Sequence, residues 1–148
     1  MASVGVTALH LVDTSAWAQR LHHEQARGRI DALFSADRAA TCLPVALEVL
    51  YRARNSSELD RQWEALRQLH WLEVTPDAKI AAIDVMRKLA KVGQHRTPIP
   101  DVMIAAVAQA HSATVLHYDS DFERICAATG HPHEWIVSRG TGHGGANP

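Results

Sequence analysis

The stretch DVMIAAVAQAHSATVLHYDSDFERICAATG, residues 101–130, decides the fold. After Asp101 its first part, DVMIAAVAQAHS, is almost wholly apolar, so it reads as a helix without a broad polar face, one that must be buried. ATVLH (113–117) is a short apolar run, the pattern of a strand in a parallel sheet covered on both sides. A further helix starts within YDSDFERICAATG, where Ser120 and Glu123 have the spacing of a capping box and Gly130 closes the end. Buried helix, buried strand and capped helix in succession mark an α/β layer structure.

The same alternation continues toward both ends. ALHLV (8–12) is an apolar strand that stops at Asp13, and from Thr14 the character turns helical. RIDALFSA, from Arg29, has helical spacing, AATCL (39–43) is a second strand, and Pro44 opens the helix VALEVLYRA. Ser56 or Ser57 can cap SELDRQWEALRQLH, with Leu59, Trp63, Leu66 and Leu69 or His70 as its apolar stripe. WLEV (71–74) is the next strand, Thr75 caps the helix PDAKIAAIDVMRKLAKVG, and Gln94 to Pro100 form a loop. EWIV (134–137) is the last strand, and the polar, Gly-rich SRGTGHGGANP has nothing to bury. The expectation is one α/β domain over residues 1–138, with a parallel central sheet flanked by helices on both faces and a disordered tail at 139–148.

Composition narrows the function. The 148 residues are 47% hydrophobic and 21% charged, the balance of an ordinary globular domain. Fifteen Lys and Arg against sixteen Asp and Glu leave a net charge of −1, so any nucleic-acid site must come from local charge. The start, MASVGVTALHLVDTSAW, has no basic segment, and no apolar run approaches the roughly 18 residues of a membrane span. Cys42 and Cys126 match no metal-finger spacing and read as two reduced, buried thiols. A cytoplasmic protein with no membrane segment is expected.

Chemistry is carried by acids in apolar settings, where an ionised carboxylate is costly unless a cation or hydrogen bonds compensate it. Asp13 ends a buried strand, and its competing reading is a helix cap. Glu48 sits among Val45, Ala46, Leu47, Val49 and Leu50, on a helix with little polar face to hold it. Asp101 opens the buried helix, where the helix dipole alone would favour an acid. With Ser120 as cap, Asp121 is a first-turn acid and Asp119 has no structural duty, which ranks Asp119 above Asp121 as a ligand. Acids at strand ends of a parallel sheet lie where such folds bind ligands. Together the four would suit Mg²⁺ or Mn²⁺, hard cations that take carboxylate oxygen. Zinc is the rival because of the ten histidines, but no HExxH is present and His22, His23, His131 and His133 read as surface or satisfied core residues. A phospho-acceptor receiver domain would need an adjacent acid pair after its first strand and a late lysine, and neither HLVDT nor TVLHYD supplies them.

In LVDTSAW, in VALEVLYRA behind TCLP, and in PIPDVMIAAVAQAHSATVLHYDSDFERI, the chain resembles the PIN-domain family, and within it the VapC toxins of bacterial toxin–antitoxin pairs. The likeness spans about residues 9 to 126. It implies a single PIN-like domain that hydrolyses RNA with Mg²⁺ or Mn²⁺, and it makes Asp13, Glu48, Asp101 and Asp119 the catalytic, metal-holding set, with Asp121 as auxiliary. Thr14 or Ser15 would place a hydroxyl near a metal-bound water. Arg20, Arg52, Arg54, Lys91 and Arg96 are candidates to guide the RNA backbone, each also readable as an ordinary surface charge. Many relatives have Thr or Ser where this chain has His117, so the role of His117 stays open between phosphate contact and packing. The resemblance further implies a homodimer and a VapB-like antitoxin that covers the acidic pocket, with the helix carrying Trp63 as a possible surface. The alternative is a catalytically inactive PIN-like module that binds RNA or protein without cutting.

Overall fold

The computed structural model describes residues 8–142. The lead-in at 1–7 and the tail residues 143–148 lie outside the described residues. Five strands carry the sheet: β1 (His10–Val12), β2 (Ala39–Cys42), β3 (His70–Leu72), β4 (Thr114–His117) and β5 (His133–Trp135). Seven described helices connect them: α1 (Thr14–Arg20), α2 (Glu24–Ser35), α3 (Leu43–Tyr51), α4 (Ser56–Leu66), α5 (Pro76–Lys91), α6 (Ile99–Ala110) and α7 (Ser120–Thr129). All four strand pairings are parallel, in the order β3-β2-β1-β4-β5.

Alternation along each short strand sends neighbouring side chains to opposite faces. Leu11, Ala40, Cys42, Leu72 and Val115 join one apolar cluster with residues of α3, α5, α6 and α7. Val12, Ala39 and Leu116 join the other, with Ala16, Ala26, Ile30 and Leu66 from α1, α2 and α4. The sheet is therefore covered on both faces, as the apolar strands predict. α6 is buried along most of its length, from Asp101 and Val102 to Ala108, because it packs against α5, α7, α3 and β4 at once.

Several boundaries differ from the sequence reading for local reasons. Asn55, rather than Ser56 or Ser57, caps α4 by accepting from the Glu58 N–H. α6 begins at Ile99, inside the expected loop, because Pro100 fits a first turn whose N–H needs no partner. The tail expected from residue 139 begins with residues that make defined contacts: the Gly140 and Gly142 N–H groups donate to the Tyr118 hydroxyl at 2.9 and 2.7 Å. A side chain at Gly142 would run into the Tyr118 ring.

From β1 the chain winds outward to β2 and β3, then returns through α5 and α6 to the other side of β1 as β4. The winding direction thus reverses between β1 and β4, which opens a crevice beyond their carboxyl ends. Asp13 follows β1, and Asp119 lies two residues beyond β4.

Candidate metal centre

Each of those two aspartates is the N-cap of the helix behind it. Asp13 Oδ2 accepts from the Ser15 N–H at 2.9 Å and from the Ser15 hydroxyl at 2.6 Å. Asp119 Oδ1 accepts from the Asp121 N–H at 2.9 Å. The sequence reading placed the α7 cap at Ser120 and left Asp119 without a structural duty. In the structure Asp119 has extended backbone, φ −149° and ψ 121°, while Ser120 is already helical, so Asp119 caps. The premise was wrong, yet capping leaves a carboxylate capacity for further contacts. At Asp13 this is explicit: Oδ1 is buried and has no hydrogen-bond partner.

Asp101, in the first turn of α6, and Glu48, in the middle of α3, complete the set. Carboxylate oxygens of Asp101, Asp119 and Asp121 lie within 4.8 Å of one another. Asp13 and Glu48 stand outside that tight group but close enough to act on it electrostatically. Asp13 is 3% exposed, and burial pushes its carboxyl up to about 6 against the opposing hydrogen bonds from Ser15, with Glu48 and Asp119 adding to the rise. Asp101 is 8% exposed and is pushed up to about 8, by burial first and then by Asp13, Asp119 and Glu48. Burial also raises Asp119, while Arg124 pulls it back.

These observations fit a divalent cation. A buried carboxylate oxygen of Asp13 lacks a partner, and acids from separate segments raise the proton affinity of Asp13 and Asp101. The donors are all oxygen, which suits a hard ion. Among the described residues the metal-ligating cluster contains no histidine. The two thiols are equally remote from such chemistry, since burial pushes Cys42 up to about 12 and Cys126 up to about 11.

The hydroxyls of Thr14 and Ser15 bond two of the carboxylates. Thr14 Oγ1 donates to Glu48 Oε1 at 3.2 Å. Ser15 Oγ donates to Asp13 and accepts from the Tyr118 N–H at 2.8 Å, tying the end of β1 to the end of β4. His117 is fully buried, which excludes the phosphate contact considered from sequence. Burial, aided by His133, pushes its ring down to about 3, so it is neutral.

Of the basic candidates, Arg96 shares a cavity of about 200 Å³ with Gln94, Thr97, Pro98 and Arg124. Arg52 lines a groove of about 490 Å³ that also includes Thr14, Trp17 and Leu21. Arg20 pairs with Asp31 at 3.5 Å and Arg54 with Glu58 at 2.8 Å, while Lys91 lies exposed at the end of α5 and borders neither space. Arg124 escaped the sequence reading. It forms an ion pair with Asp121 one turn away and lowers the proton affinity of both Asp101 and Asp119. Its signal was the i, i+3 spacing from Asp121. Arg124→Gln is therefore expected to shift the pH dependence of Mn²⁺ binding upward, measured by titrations between about pH 6 and 9. An unchanged profile would detach Arg124 from the acids.

The family model described as PIN domain matches residues 10–128. Ribonuclease VapC18 and ribonuclease VapC51, both from Mycobacterium tuberculosis, are 41% and 39% identical to the chain over 133 and 132 residues. The alignments cover 88% and 89% of this chain and 96% of each relative. Among solved structures, DNA-bound VapBC from Salmonella typhimurium matches with a TM-score of 0.71 at 22% identity, over 88% of this chain and 100% of that one. VapBC-5 from Mycobacterium tuberculosis matches with a TM-score of 0.59 at 25% identity, over 88% of this chain and 98% of that one.

Proposed function

The chain belongs to the PIN-domain family, and on that premise we propose that it is a metal-dependent endoribonuclease, the toxin of a toxin–antitoxin pair. One observation carries the reading beyond likeness: acids from four separate segments come close enough at the carboxyl ends of the strands that Glu48 and Asp119 raise the proton affinity of Asp13, and Asp13, Asp119 and Glu48 raise that of Asp101. That arrangement costs stability without a cation and gains its purpose with one.

Asp13, Glu48, Asp101 and Asp119 hold the metal, and Asp121, whose carboxylate lies in the tight group with Asp101 and Asp119, supports them while paired with Arg124. Mg²⁺ or Mn²⁺ fits this oxygen-only set. Such an ion, when bound, polarises the phosphodiester and acidifies water at neutral pH. The chain itself orients the ligands: Ser15 holds Asp13, Thr14 holds Glu48, and α6 presents Asp101 from its first turn. The proton of the attacking water passes to Asp101 or Glu48, the carboxylates beside it. Arg96, Arg124 and Arg52 line the spaces through which a phosphate backbone would approach.

The partner is an antitoxin that covers the acids with a basic side chain, and the toxin itself is a homodimer. The relevant solved neighbours are VapBC complexes. On α3 and α4, Leu47 is 56%, Tyr51 82% and Trp63 38% exposed, an apolar surface for a protein partner. Trp63 also meets Trp71 edge to face at 6.0 Å, so it is half core and half surface. None of the described helices is long and apolar enough to cross a membrane. The two buried free thiols accord with a reducing cytoplasm.

Incubation of the purified chain with total cellular RNA, followed by mapping of new 5′ ends, tests the function. Cuts at defined positions that need Mg²⁺ or Mn²⁺ and vanish with a chelator are expected. Tight RNA binding without any cut would select the inactive module instead.

A further inference from the structure

His117 and His133 form a two-ring relay behind the acids. The Asp119 N–H donates to His117 Nδ1 at 3.1 Å, so that nitrogen must present a lone pair. A neutral imidazole then carries its proton on Nε2, which lies 2.8 Å from His133 Nδ1 and donates to it. Both bonds are satisfied by only one tautomer of each ring. The rings lie edge to edge with centroids 5.1 Å apart and planes 24° from parallel, and Phe122 and Trp135 pack against His117 at 5.2 and 4.9 Å.

Acceptance of the i+2 N–H by a side chain is the geometry of an Asx or Ser/Thr turn, here made by an imidazole. A short side chain with one kind of polar atom makes this turn unaided. An imidazole makes it only in the correct tautomer, and something must select that tautomer. His133 does so from β5, a strand beyond β4, without touching the acids. We propose that His133 and His117 are positioning residues: His133 fixes the tautomer of His117, and His117 fixes the backbone of Asp119 and thereby the aim of its carboxylate. The inference rests on the metal-site reading above and extends it to residues one layer behind the ligands.

His133→Phe keeps a ring at this position and removes the Nδ1 acceptor. The buried His117 Nε2–H then loses its partner, so the Nε2–H tautomer is less favoured over the one that turns an Nδ1–H toward the Asp119 N–H. Removal of a group that orients a metal ligand costs about tenfold or more in metal affinity. The expected result is a roughly tenfold weaker Mn²⁺ dissociation constant by calorimetry. Nitrogen-15 spectra should show loss of the pure Nε2–H form of His117, and the Asp119 amide should exchange faster.

His117→Asn supplies an amide oxygen where Nδ1 stood and needs no relay, so His133→Phe in the His117→Asn background should leave Mn²⁺ affinity unchanged. A packing defect alone would weaken binding in both backgrounds. Mn²⁺ binding by the unaltered chain that ignores His133→Phe would overturn this inference alone. No Mn²⁺ binding by the unaltered chain would overturn the metal reading and this inference with it.

Discussion

Asp13→Asn and Asp101→Asn are each expected to lower RNA cleavage by at least about 10³-fold, because a lost anionic ligand removes several kcal/mol of charge stabilisation at the reacting phosphate. The two variants should separate function from folding. Asparagine at 13 retains an oxygen to accept the Ser15 N–H that caps α1, so the helix start survives. At 101 the amide cannot take up the charge that Asp13, Asp119 and Glu48 repel once pH passes about 8, so above that pH the metal-free variant should melt at a higher temperature than the unaltered chain. Cleavage assays with Mg²⁺, beside thermal melts in EDTA, read both effects. Full activity in either variant would remove that residue from the site, and a lower melting temperature in Asp101→Asn at that alkaline pH would contradict the repulsion.

The second large effect is on stability as pH changes. Asp13 at about 6 and Asp101 at about 8 hold protons more tightly in the folded chain than an unhindered aspartate, which titrates at 3.8. For a carboxyl raised by folding, the unfolded chain releases its proton first. Stability from these groups is therefore fully present below about pH 4 and is withdrawn as pH rises through 6 and then 8. Each unit of displacement is about 1.4 kcal/mol, so the two together withdraw several kcal/mol by about pH 8.5. A divalent cation reverses the sign, since it replaces the protons as the counter-charge. Saturating Mg²⁺ should thus raise the melting temperature little at pH 5.5 and markedly at pH 8.5. A stabilisation equal at both values would mean that the acids do not share the ion.

Local sequence was enough for the layer structure. Among the described residues, each of the five strands and seven helices follows from a run of apolar spacing, a proline or a cap that can be read without knowledge of the rest of the chain. The parallel sheet follows in turn, because strands separated by helices must cross over to pair in one direction. The acids stand out in the sequence for the same reason: Glu48 within VALEVLYRA and Asp101 ahead of an apolar helix sit among apolar residues, and in the structure Asp101 is buried while Glu48 is half-buried. Cap assignment was where local reading failed. Ser120 and Asp119 are both able caps, and only the backbone angle at the end of β4 chose between them.

Sequence by itself determined which elements form, in what order, and which carboxylates are too costly to be ordinary. Tertiary structure alone decided what those carboxylates meet. Ser15 bonds the backbone of Tyr118, 103 positions away, and His117 reads its tautomer from a strand 16 positions on. Arg124 becomes a counter-charge for Asp101 only because α6 and α7 pack together. The physical reason is range. Periodicity and caps act over a turn or two of chain, whereas hydrogen bonds and charge act over a few ångströms of space, and the reversal of winding between β1 and β4 is what makes those distances short.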